Sequence, residues 1–199
     1  IQAHRPRFIY TIPAFQDPTG VCLSPARRAA LLEIAARHRL PIVEDDIYGS
    51  LCYNGEPPLA MKSDDRDGQI IYISSFSKLL LPGLRIGYAV ASPELLSRMV
   101  AIKQSFDLGS PSLIQQALAI FVQNGRLHSH LRREIPRYRE RCETLINAMS
   151  RYFPSGVRWN TPHGGFCSWV SLPLGVSVHD LYLAAVERGV AFTPGDVFF

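Results

Sequence analysis

Three short, β-branched runs in this chain stop abruptly at polar side chains. Leu40-Pro41-Ile42-Val43 runs into Glu44-Asp45, Ile70-Ile71-Tyr72-Ile73 into Ser74-Ser75, and Ile86-Gly87-Tyr88-Ala89-Val90-Ala91 into Ser92-Pro93. Runs this short, bounded by turn residues, predict buried strands. A fourth β-rich stretch, Arg7 to Ile12, ends at Pro13. Between them Ser24 caps a helix with Pro25 at its first position, and Leu31, Leu32, Ile34, Ala35 and Ala36 carry its apolar stripe to about Arg39. Strand, helix, strand, with reactive side chains where strands end, is the pattern of an open α/β sheet, whose ligands gather at the carboxyl ends of the strands.

The second half of the chain is mostly helical. Ser92-Pro93-Glu94 starts a helix to about Phe106, Pro111-Ser112 another to about Asn124, and an arginine-rich segment from about Leu127 to Tyr152 forms a third, with Pro136 as a candidate kink. After Pro154-Ser155-Gly156 the texture changes. Val157-Arg158-Trp159, Phe166 to Val170 and Ala191-Phe192-Thr193 read as strands, and Val178 to Arg188 as a helix. The expected division is the C-terminal part of a large α/β domain over residues 1–137, then a bridging helix and an incomplete small α+β domain over 138–199. The chain opens without an initiator methionine and stops soon after Pro194-Gly195, so it reads as a fragment of a longer chain.

Composition removes several function classes. The formal net charge is +4 over 199 residues, and no polybasic block is present. Arginines 27, 28, 37, 39, 132, 133, 137, 139 and 141 fall in helical stretches and read as solvated faces, and no nucleic-acid module is visible. The four cysteines are scattered, without Cys-x-x-Cys, which argues against a metal site or a disulfide framework and for reduced, buried thiols in a cytoplasmic protein. No apolar run is long enough for a transmembrane helix.

Two constellations carry chemistry. In Ser74-Ser75-Phe76-Ser77-Lys78 an amine follows a strand behind a set of hydroxyls, and Arg85 comes just after on a Pro- and Gly-shaped turn. A lysine buried at a strand end is costly unless it has a partner or a task. An amine beside hydroxyls and a guanidinium suits a Schiff base held next to a phosphate. In Glu44-Asp45-Asp46-Ile47-Tyr48 an acid leaves a strand and a tyrosine follows. Taken singly, Lys78 and Arg85 also read as surface charges, and the acids as a solvated turn. Tyr10 and Phe166 read chiefly as core aromatics, and His163 as a loop residue.

The ordered set Asp17-Pro18-Thr19-Gly20, Asp45-x-x-Tyr48, Ser75-x-Ser77-Lys78, Arg85, Gly164-Gly165-Phe166 and Thr193-Pro194-Gly195 resembles the fold-type I pyridoxal-phosphate aminotransferases of the aspartate-aminotransferase-like class, over nearly the whole chain. That resemblance implies a three-layer α/β/α domain with a mostly parallel sheet, and transfer of an amino group between an amino acid and a 2-oxo acid. It implies that Lys78 forms the Schiff base and then moves a proton, with burial lowering its basicity. Asp45 would pair with the ring nitrogen, Tyr48 and Asp17 would contact the 3′ oxygen, and Ser75, Ser77 and Arg85 would hold the phosphate. The family's loop usually has asparagine where Asp17 stands, and a carboxylate cannot donate unless protonated. The chain is also similar to the aminotransferase-like half of GntR/MocR-type regulators, in which DNA is bound only through an N-terminal domain missing from this chain. The resemblance further implies a homodimer without a membrane partner, in which Asp107-Leu108-Gly109-Ser110-Pro111 reaches the neighbouring subunit.

Overall fold

In a computed structural model of the chain, which describes residues 1, 4–107 and 109–198, the expected strands form one twisted sheet. Strands β1 (Ile9–Thr11), β2 (Ile42–Asp45), β3 (Ile70–Ser75) and β4 (Gly87–Val90) lie in that order, parallel from β1 to β3 with β4 antiparallel at the edge. Helix α1 (Pro25–His38) begins as the sequence predicts, with Ser24 Oγ accepting the Arg27 N–H at 3.3 Å. It ends in a left-handed cap at Arg39, which therefore lies beyond the helix.

Register decides what each face of the sheet carries. Tyr10 pairs with Val43, Val43 with Ile71, Asp45 with Ile73 and Ser75 with Gly87. Because side chains alternate along a strand, Tyr10, Val43, Asp45, Ile71, Ile73 and Ser75 share one face. Ile42 and Ile70 point the other way, into a core with Ala35 and Met61 that Ile9, Leu31 and Leu32 flank. Glu44 also lies on this inner face and is fully buried. Its two carboxylate oxygens accept the Met61 and Lys62 N–H groups at 2.6 and 2.8 Å and so cap the short 3-10 turn Met61–Asp64. Burial pushes the Glu44 carboxyl above its ordinary value. Two residues that read as solvated in the sequence are thus structural. Besides Glu44, Arg28 donates to the Leu23 and Pro13 carbonyls at 3.0 Å each, and to that of Leu59, which ties α1 to two loops.

Three further helices follow, α2 (Pro93–Phe106), α3 (Ser112–Gln123) and α4 (Arg126–Tyr152). Helix α4 passes Pro136 without a break and runs through the expected boundary at residue 137. The tail is poorer in strands than expected. Only β5 (Arg158–Trp159) and β6 (Val170–Ser171) pair, and residues 191–193 form no strand, while α5 (Val178–Glu187) is present. All four cysteines are free, but Cys22 is exposed rather than buried. In the loop 107–111, Leu108 lies outside the described residues. No described helix is long and apolar enough to cross a membrane.

A second core joins the tail to the sheet. Ala14, Phe15, Tyr48, Leu51, Cys52 and Leu79 cluster beyond the strand ends, with Leu127, Leu131 and Tyr138 packed on them. The glycine pair closes this core through the Gly165 N–H to Leu51 O bond at 3.0 Å and a bridge between Cys52 and Gly164. A Cβ on Gly164 would collide with the Leu51 carbonyl and sit 2.5 Å from Phe15 Cζ. Gly164→Ala is therefore expected to destabilise the protein by about 2 kcal/mol through overpacking. Denaturant unfolding reads this out, and an unchanged midpoint would contradict the packing described.

Candidate active site

Most of the residues singled out in the sequence gather beyond the carboxyl ends of β1 to β3. Asp45 closes β2, and Tyr10 Oη, from the neighbouring strand, donates to its Oδ2 at 2.6 Å. Its Oδ1 is buried and, among the described residues, is the one buried side-chain oxygen or nitrogen with no hydrogen-bond partner. A buried acceptor left unmatched costs about 1–3 kcal/mol, more if charged, so this oxygen calls for a donor from outside the described residues.

Tyr48 follows at the turn after β2 and is almost completely buried. Its hydroxyl donates to Asp17 Oδ2 at 3.1 Å. Burial first, then the Asp17 carboxylate, pushes the Tyr48 phenol well above its ordinary value. The Cys167 thiol faces the same two groups and is pushed up to about 11 by burial and Asp17, while the Lys78 ammonium opposes the shift.

Asp17 is placed by a tightly held loop. Gln16 N–H donates to Val21 O at 2.9 Å, and the Asp17–Pro18 peptide is cis. Gly20 adopts φ +67°, and a Cβ there would meet Cys167 O at 2.5 Å. The tail grips this loop from the other side, since Asn160 Nδ2 donates to Thr19 O at 2.8 Å while its Oδ1 accepts the Trp169 N–H at 2.6 Å.

The third group hangs on the end of β3. Ser75 Oγ lies 3.0 Å from Ser77 Oγ and 3.2 Å from Ile86 O, and accepts the Ser77 N–H at 3.1 Å. Lys78 Nζ stands 5.8 Å from the centre of the Tyr48 ring. Contrary to the burial expected from sequence, Lys78 is exposed. It sits in the turn after β3 rather than inside the strand, so solvent keeps access to the amine. Arg85 is also exposed, in a left-handed conformation at φ 52°, with its guanidinium 3.4 Å from Pro82 O. Among the described residues no hydrogen bond joins it to Ser75 or Ser77.

Asp17 with Tyr48, Ser75 with Ser77, and Lys78 over the Tyr48 ring are thus brought together, and Arg85 stands apart. Two aromatic residues depart from the core role read in the sequence. Tyr10 is 54% exposed and bonds Asp45, and Phe166 is 43% exposed and packs edge-on to Tyr48 and Tyr138. Strand alternation places Tyr10 on the face of Asp45 only once the register of β1 against β2 is known. Cys167 and Asn160 carried no sequence signal of their own.

Chemically, the arrangement offers an accessible amine beside an aromatic ring, a buried carboxylate oxygen in want of a donor, and a hydroxyl pair with a guanidinium further along the same loop. The comparisons with known proteins agree with it. The profile of aminotransferase class I and II matches residues 7–199. The chain is 39% identical over 193 residues to an aromatic-amino-acid aminotransferase of Thermococcus litoralis, covering 97% of this chain and 46% of that protein. It is 35% identical over 190 residues to an HTH-type transcriptional regulator of Bacillus subtilis, YdfD, covering 96% of this chain and 39% of that protein. The structure superposes, with a TM-score of 0.94 and 39% identity, on the α-aminoadipate aminotransferase LysN of Thermus thermophilus complexed with N-(5′-phosphopyridoxyl)-L-leucine, covering 100% of this chain and 51% of that one. The chain thus spans about half the length of such relatives. With the fold, the ordered motifs and the profile match in agreement, this chain belongs to the class I and II aminotransferase family.

Proposed function

We propose that this chain carries the greater part of a pyridoxal-phosphate site in an aminotransferase that moves an amino group between an amino acid and a 2-oxo acid. The observation that carries the proposal is the buried, unpartnered Asp45 Oδ1, on the same sheet face as Ser75. A protonated pyridine nitrogen is a donor of the right charge for that oxygen. The phosphopyridoxyl adduct in LysN supports the choice of cofactor. When bound, the cofactor supplies an aldehyde that captures amines and a ring that accepts electrons from the substrate Cα.

Each residue of the chain then has a task. Lys78 would supply the amine that holds the aldehyde and would take and return the substrate Cα proton. Asp45 would face the ring nitrogen. Tyr48, kept protonated by its raised pKa, donates toward the 3′ oxygen. Ser75 and Ser77 donate to phosphate, and Arg85 turns in to give the planar, charge-assisted contact. We further propose a cytoplasmic homodimer, with the large and small domains meeting near residues 137 and 138.

A second reading has specific support. The likeness to YdfD, together with Asp17 at a position where an amide is usual, fits a cofactor-binding half of a transcriptional regulator. Pyridoxal phosphate added to the intact protein separates the two. A visible cofactor band with amino-acid turnover fits the aminotransferase, a band without turnover on any amino acid fits the regulator, and no band sinks both. Lys78→Ala is expected to abolish the band and to lower turnover at least about a hundredfold.

Asp17 yields a further expectation. Tyr48 has one hydroxyl hydrogen, and both Asp17 and a bound 3′ oxygen would accept it. The Asp17 charge favours keeping protons on neighbouring groups, so their midpoints lie higher with aspartate than with asparagine. Asp17→Asn is thus expected to lower the pH midpoint of the bound cofactor's visible band by on the order of one unit. An unmoved midpoint in a spectrophotometric titration would show that Asp17 does not sense the cofactor.

A further inference from the structure

Tyr10 is the one side chain that touches the acid end of the site without a task so far. It sits in β1, paired with Val43, so its ring lies on the face that carries Asp45 two residues further along β2. Its hydroxyl donates to Asp45 Oδ2 at 2.6 Å, a short charge-assisted contact. The ring is half exposed, so the contact is not a by-product of core packing. Both consequences fall on Asp45. One oxygen is pinned, which fixes the carboxylate plane, and the other is left buried and unmatched.

We propose that Tyr10 is a positioning residue for Asp45: its hydroxyl occupies Oδ2 and so leaves Oδ1 to face the ring nitrogen of the cofactor. The proposal rests on the pyridoxal-phosphate reading above and adds a residue to it. The physical logic is that a hydrogen bond donated to a carboxylate stabilises the anion and lowers its affinity for a proton. Oδ1, so placed, would accept a hydrogen bond from a protonated ring nitrogen and favour that form of the ring. A carboxylate held by one firm donor also loses less rotamer freedom when it meets its second. The contact leaves its mark on Tyr10 as well. Burial, then the hydrogen bond to Asp45 and the charges of Asp45 and Asp17, push its phenol up to about 12.

Tyr10→Phe in the intact protein tests this, with Tyr152→Phe, at the exposed end of α4, as the control phenol. Pyridoxal phosphate is expected to bind Tyr10→Phe roughly tenfold more weakly than wild type, since a donor to a charged acceptor is lost. With pyridoxal phosphate labelled with ¹⁵N at the ring, the nitrogen resonance is expected to move toward that of neutral pyridine in Tyr10→Phe and to stay in place in Tyr152→Phe. The ¹⁵N shift is a readout that a merely structural role would not move. In cofactor-free protein, ¹³C NMR of the tyrosines should give Tyr10 a lower titration midpoint in Asp45→Asn than in wild type. Equal affinity and an equal ¹⁵N shift in wild type and Tyr10→Phe overturn the role of Tyr10 and leave the cofactor assignment standing. An unmoved Tyr10 midpoint in Asp45→Asn overturns the pairing itself. Failure of wild type to bind the cofactor overturns the assignment and the inference together.

Discussion

The parallel register of β1, β2 and β3 is the constraint from which the site follows. Shifting β2 by one residue would turn Asp45 inward toward Ile70 and Met61 and lift Ile42 and Glu44 out to the open face. What holds the register is the inner face. Ile42 and Ile70 are fully buried there, and Glu44 is committed to two backbone N–H groups. Two adjacent acids of one strand thus do opposite jobs. Glu44 is satisfied and structural, and Asp45 is left half satisfied on the other face. That asymmetry is what makes the end of β2 a binding position rather than a turn.

Around that sheet edge, the tail works as a clamp on the loop that carries Asp17. Gly164 and Gly165 let it approach the Phe15 and Leu51 backbone, and Asn160 holds Thr19 while Trp169 holds Asn160. The loop that carries Asp17 is therefore wedged between β2's turn and the tail, with Gly20 too close to Cys167 for any side chain. Asp17, Tyr48 and Cys167 sit in this wedge as a cluster of acceptor and reluctant acids. The Asp17 carboxylate accepts the Tyr48 hydroxyl there.

Much of this was legible in the residues. Ser24-Pro25 announced α1, the β-branched runs announced β2 and β3, and the order of Asp45, Tyr48, Ser75, Ser77, Lys78 and Arg85 identified the family before any geometry. Legibility failed where the signal is local and the outcome is not. Residues 191–193 have β propensity but pair with nothing among the described residues, because a strand exists only with a partner. Lys78 looked buried because it follows an apolar run, yet the chain turns out of the sheet before reaching it. Arg28 looked like a solvated charge because a helix face says nothing about the loops that fold over it.

The sequence by itself determined the element order, the family and the residue types of the candidate site, since these depend on residue type and on periodicity along the chain. Only the tertiary structure decided that Tyr10 belongs to the site, that Glu44 does not, that Cys167 and Asn160 press on the Asp17 loop, and that one oxygen of Asp45 is spoken for while the other waits. The physical reason is that hydrogen bonds between side chains distant in the chain depend on strand register and loop packing. Those are set by the summed burial of many residues, and no single motif encodes them.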